Sequence, residues 1–368
     1  MKLRDDVGVW LFFERGLRKT YIVGSVTADR YLTVPAAKLP AVRAFMDRLD
    51  GTRTLEQVRE ELVREHGLKL DVEALHRKFD GAGLLADGRG PRPGDIERMS
   101  ATVLRVPIGA LLVLLRRFSP LVPVLAGVGL AAVAAALVLF VLDPTSRDVM
   151  AKAAGDRSLW SAAGLALGIA MLSGFVHEMS HCLVAARWGI LKATLRVHLY
   201  LGFMPIIALK LAGLYTLPPR GRTAVWSAGV FANFTIAAGG LLGLRFLWPG
   251  SAVLEIVVAI NWLIAILNLM PLLPTDGYFL LATWTNDANV RLRAWEWLRR
   301  PFRSGKQRPS WFVLAYVVST VWLVLSTFWH HASRILSARA ATWESVLSML
   351  MLALIVVMLW RSFRNAQE

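Results

Sequence analysis

Two histidines, His177 and His181, stand four residues apart with Glu178 between them, in the stretch SGFVHEMSHCLVAARWG (173–189). On a helix that spacing leaves the imidazoles about 40° apart around the axis and one turn apart along it, so both reach a single ion. Glu178, beside the first histidine, reaches a water at that ion without ligating it. This H-E-x-x-H arrangement suits hydrolysis. A bound zinc lowers the pKa of water, and the carboxylate takes the proton and hands it to a leaving amine. The same stretch reads as the end of a membrane-spanning helix, where an ionisable group is costly and marks function.

A tetrahedral catalytic site takes three protein ligands and keeps one position open. Cys182 adjoins His181 but points about 100° away, as a small buried apolar group would. His198 follows the metal helix in LRVHLYLGF, and His330 and His331 end a later apolar run. Asp276 lies in NLMPLLPTDGYFLL, where Pro271, Pro274 and Gly277 break the helix. Broken backbone at membrane depth is tolerated where it lines a site. Asp276 also reads as a turn cap. Choosing among these candidates requires the topology that positions them.

Hydrophobic residues make up 55% of the 368, too many for an ordinary soluble chain. The net charge of +16 is uneven: residues 1–100 carry 18 Lys/Arg and 16 Asp/Glu, and the rest carry 24 and 10. The basic excess therefore flanks apolar runs, which is a membrane signature and not a nucleic-acid one. One cysteine excludes an intrachain disulfide framework, and MKLRDDVGVWLFFERG does not read as a secretory signal. Six spans are expected, near 121–143, 159–187, 223–248, 252–272, 310–329 and 343–361. The short run 106–115, followed by Arg116 and Arg117, is expected at the interface. With this threading one side of the membrane receives 18 Lys/Arg and the other 6. Both termini are then cytoplasmic. The second and fourth spans both run toward the cytoplasm, so His177, His181 and Asp276 arrive at the same depth. His330 and His331 fall on the opposite side.

Residues 1–90 read as a small soluble α+β domain. VGVWLFFERG, KTYIVGSV and RYLTV are strand-like runs. Helices are expected over 38–49, 55–66 and 71–80, the second opened by Thr54 and Gln57 at capping-box spacing. A linker rich in Gly, Pro and charge follows, so residues 91–120 form a linker and interfacial segment and 121–368 the membrane domain. The fold class expected is mostly α: six transmembrane helices plus a small winged-helix-like α+β domain.

HEMSH together with NLMPLLPTDG resembles the site-2 protease family of intramembrane zinc metalloproteases, across residues 155–285. The resemblance implies Zn2+ held by His177, His181 and Asp276, with Glu178 as the catalytic base. WSAGVFANF (226–234) is similar to the family's Ala-Gly-x-x-x-Asn segment, which maps to Asn233. Asn233 and Asn268 would then position substrate or polarise its carbonyl. Thr275 stands where many members have Leu, and Val230 where many have Pro; no PDZ-like insertion is visible. Residues 49–85 are similar to the winged-helix domain of the pyrroloquinoline-quinone peptide chaperone, which recurs as a leader-peptide recognition element. Such domains bind an extended leader as an added strand at a sheet edge and against a helix.

These readings together imply an integral protein of a bacterial cytoplasmic membrane. Its expected partners are lipid and a peptide or membrane-embedded protein substrate; no nucleic acid is expected, since a domain charge of +2 attracts phosphate poorly. The expected activity is cleavage of a small, ribosomally made and modified precursor, as in the peptide zinc metalloproteases that the domain fusion resembles. The alternatives are regulated proteolysis of a membrane-tethered regulator, and a non-catalytic peptide exporter or immunity protein on the same scaffold.

Overall fold

A computed structural model describes residues 1–15, 18–67, 71–86, 100–143, 159–200, 204–269, 275–285 and 290, with single positions between 314 and 333. The chain divides into two compact units, residues 1–269 and 270–368.

The first unit opens with strands β1 (Val7–Arg15), β2 (Arg18–Ser25) and β3 (Arg30–Pro35), antiparallel in the order β1-β2-β3. The β1–β2 register steps from Leu11↔Tyr21 to Phe13↔Thr20, leaving Phe12 in a bulge. Helices α1 (Leu39–Met46), α2 (Leu55–His66) and α3 (Val72–Gly81) follow. The capping box expected at α2 is present. The Gln57 amide donates to the Thr54 hydroxyl at 3.3 Å, and the Thr54 amide donates to the Gln57 side-chain carbonyl at 2.8 Å. Gly67 ends α2 in the left-handed region at φ +61°. One apolar core joins sheet to helices through Val23, Val34, Phe45, Val58, Leu62 and Phe79. Phe45 and Phe79 meet edge to face at 5.5 Å.

Among the described residues four apolar stretches are long enough to cross a membrane: Gly109–Leu142, Gly164–Arg187, Pro219–Phe246 and Ala252–Leu269. The first combines α4 (Gly109–Phe118) and α5 (Val122–Leu142) through a 3-10 turn at Ser119–Leu121. The run 106–115, expected at the interface, thus ends β4 and forms most of α4, which continues through this turn into α5. Pro120 and Pro123 fall at first-turn positions, where a missing N–H costs little. Helices α6 (Leu159–Arg187), α7 (Pro219–Phe246) and α8 (Ala252–Leu269) complete the bundle of this unit. α7 packs against α5, α6 and α8. The expected spans 310–329 and 343–361 lie outside the described residues, apart from single positions in the former.

A second sheet was not anticipated. β4 (Ser100–Pro107), β5 (Ala193–Tyr200) and β6 (Met204–Leu211) pair antiparallel in the order β4-β5-β6. It ties the strand before α4 to the hairpin after α6. The N-terminal domain also docks at the foot of α7. The fully buried Arg222 donates to the carbonyl of Phe12, the bulge residue, at 2.5 Å, and its guanidinium lies 3.9 Å from the Phe12 ring. Lys210 on β6 pairs with Asp29 at 3.6 Å. Burial pushes the Asp29 carboxyl up, against the downward pull of Lys210.

In the second unit, α9 (Asp276–Thr285) begins at the aspartate that the sequence singled out.

Candidate metal centre

α6 is apolar for most of its length, and His177 and His181 share one face of its last turns. Both are buried, each 4% exposed. Their rings sit 4.8 Å apart at 79°, one turn stacked above the other. Asp276, at the first position of α9, is 7% exposed. His177, His181 and Asp276 each offer a ligand atom, and these atoms lie within 4.8 Å of one another. Among the described residues this is the histidine–carboxylate group able to hold a metal ion.

Each imidazole is oriented from α7. His177 Nδ1 lies 2.5 Å from the Asn233 side-chain carbonyl, and His181 Nδ1 lies 2.6 Å from the backbone carbonyl of Val225. Both partners are acceptors, so each Nδ1 carries a proton, and in the neutral ring the lone pair is on Nε2. That is the tautomer a metal ligand needs. The two Nε2 atoms face the same spot on α7, where a Cβ added to Gly229 would stand 2.5 Å from both. The absent side chain makes a cradle in front of the two donors. Two imidazoles and a carboxylate form a donor set that suits zinc, and as three ligands they would leave a fourth position open.

Glu178 follows His177 on α6 and is half-buried. Asn233 comes to this site, but bonded to a histidine. Asn268 donates to the Ile264 carbonyl one turn back on its own helix, at 3.0 Å. His198 is buried in β5 with its Nδ1 3.2 Å from the Thr102 hydroxyl across the sheet, and it is not in the metal group. Cys182 is buried against Ile108, Leu112 and Val225, as its small apolar character suggested. His330 and His331 lie outside the described residues.

Sequence reasoning missed three contributors. Gly229 is the glycine of the Ala-Gly-x-x-x-Asn segment, where the resemblance gave it no role, and the Val225 carbonyl is backbone. Asn261, fully buried on α8, donates to Ser173 and accepts from Asn233. An amide in the middle of an apolar span was the signal available for it. No family model, curated protein or solved structure matches this chain.

Proposed function

We propose that this chain is an intramembrane zinc endopeptidase of the site-2 protease type, cutting a small, ribosomally made precursor peptide. The observation that carries the proposal is the buried group of His177, His181 and Asp276 with Glu178 beside its first histidine. Zinc, when bound, supplies Lewis acidity that polarises a carbonyl and acidifies water. The rest falls to the chain. His177 and His181 would hold the ion through Nε2 and Asp276 through a carboxylate oxygen. Glu178 takes a proton from the water that adds to the scissile carbonyl, and returns it to the amine nitrogen as the C–N bond breaks. Four apolar helices support a membrane setting, and the Lys/Arg asymmetry supports cytoplasmic termini.

A groove in the N-terminal domain supports peptide delivery. β3 is an edge strand, and beside it Leu32, Arg77, Lys78, Gly81 and Ala82 line a shallow cavity of about 320 Å³. A segment added along β3 would lie against α3, with Arg77 and Lys78 favouring acidic residues. Charge reversal of both in the full chain is expected to raise KM several-fold for a leader-bearing peptide and to leave kcat unchanged, because delivery precedes the chemical step. An unchanged KM would favour a membrane-tethered regulator as substrate.

Elemental analysis tests the metal directly. Purified protein is expected to hold about one zinc per chain. His177→Ala and Asp276→Ala should each lower occupancy, while His198→Ala should retain it. Full retention by Asp276→Ala would remove that residue from the ligand set.

A further inference from the structure

A line of buried polar side chains leaves the metal group and crosses α7 into α8, returning to α6. Asn233 and Asn261 have no exposed surface, and Ser173 is buried. The chain runs His177 to Asn233 at 2.5 Å, Asn233 to Asn261 at 2.8 Å, and Asn261 to Ser173 at 2.9 Å. Within helices of this apolarity such groups persist only when their hydrogen bonds are made.

The direction of every bond in this line is set at its far end. Asn261 Nδ2 lies 2.9 Å from the backbone carbonyl of Val257, which can only accept. The amide NH2 of Asn261 must therefore face Val257 and Ser173, so its Oδ1 faces Asn233. Asn233 then presents Nδ2 to Asn261 and Oδ1 to His177. His177 Nδ1 is left to donate, so in the neutral ring the lone pair is on Nε2. Turning Asn233 over would set two carbonyl oxygens against each other at Asn261. Turning both amides would press Asn261 Oδ1 onto the Val257 carbonyl. Each reversal sets oxygen against oxygen with no proton between them, at 2.8 Å in the first and 2.9 Å in the second.

We infer that Asn261 is a positioning residue: braced by the Val257 carbonyl, it fixes through Asn233 the tautomer in which His177 offers Nε2 to the metal. His181 reaches the same tautomer by its direct bond to the Val225 carbonyl and needs no relay. Ser173 accepts a second bond from Asn261 but does not set its direction, since a hydroxyl can donate or accept. The inference rests on the metal-site reading above, and it assigns Asn261 and Ser173 unequal roles.

The test uses the full chain in detergent micelles, with zinc affinity read by competition against a chromophoric chelator. The tautomer of His177 is read by 15N NMR of metal-free, histidine-labelled protein and assigned by the resonance lost in His177→Ala. The wild type is expected to show His177 protonated at Nδ1. Asn261→Leu, similar in size but without hydrogen bonds, should weaken zinc binding about 10- to 100-fold and admit the Nε2-protonated form. Ser173→Ala should leave the tautomer unchanged. An Nε2-protonated His177 in the metal-free wild type would overturn the relay, whatever the variants do. So would unaltered zinc affinity and tautomer in folded Asn261→Leu. Failure of the wild type to bind zinc would instead defeat the metal-site reading, while the NMR measurement would still judge the relay.

Discussion

Glu178→Gln is expected to keep its zinc and to cut peptide about 100- to 10,000-fold more slowly than the wild type, the span typical of a lost general base. The substitution preserves the shape of the side chain and removes only its ability to take a proton. Glu178 is absent from the ligand group, so elemental analysis should find the metal content unchanged. His177→Ala should lose activity together with metal, and the contrast between the two variants would separate base from ligand. Mass spectrometry of peptide incubated with each variant supplies the rates. Cleavage by Glu178→Gln at the wild-type rate would defeat the hydrolytic mechanism. A wild type that binds zinc and peptide but cuts nothing would point to the non-catalytic exporter or immunity protein.

How legible this molecule is in its sequence depends on whether a feature is local. The capping box at Thr54 and Gln57 is a four-residue pattern, and α2 begins where it predicts. The β-branched and aromatic runs of the N-terminal domain predict two or three strands, and three are present. His177 and His181 are local too, because i,i+4 spacing guarantees a shared face. Asp276 required topology as well, since 95 residues separate it from His181. Lys/Arg asymmetry supplied the expectation that they share a depth, and the three side chains do form one group. The β5–β6 hairpin was read only as a connection, although Leu195, Val197 and Leu199 alternate with Thr194, Arg196 and His198. Its partner β4 lies more than 85 residues earlier in the chain, and no local pattern announces such a pairing. The bulge at Phe12 is likewise invisible until Arg222 arrives to bond its carbonyl. Asn233 was found through a family resemblance that suggested contact with substrate. Its bond to His177 is a packing fact that no spacing encodes.

The same exchange at two glycines of α7 is expected to have opposite consequences. Gly229→Ala should weaken zinc binding by more than about 100-fold, beyond the range for loss of an outer-shell partner. Its Cβ would stand 2.5 Å from the Nε2 atoms of both histidines, a distance that real Cβ contacts do not adopt. Neither imidazole has an easy retreat, because each Nδ1 is bonded to α7 itself, at Asn233 and at the Val225 carbonyl. Moving a ring away from the methyl group breaks the bond that sets its tautomer. Gly239→Ala meets nothing within 4 Å and lies on an exposed part of the same helix. It should leave zinc affinity unchanged and stabilise α7 by up to about 1 kcal/mol through helix propensity. Chelator competition and thermal unfolding of the two variants in detergent measure both effects. If Gly229→Ala binds zinc as the wild type does, the two Nε2 atoms do not face the metal, and the donor geometry argued from α7 fails.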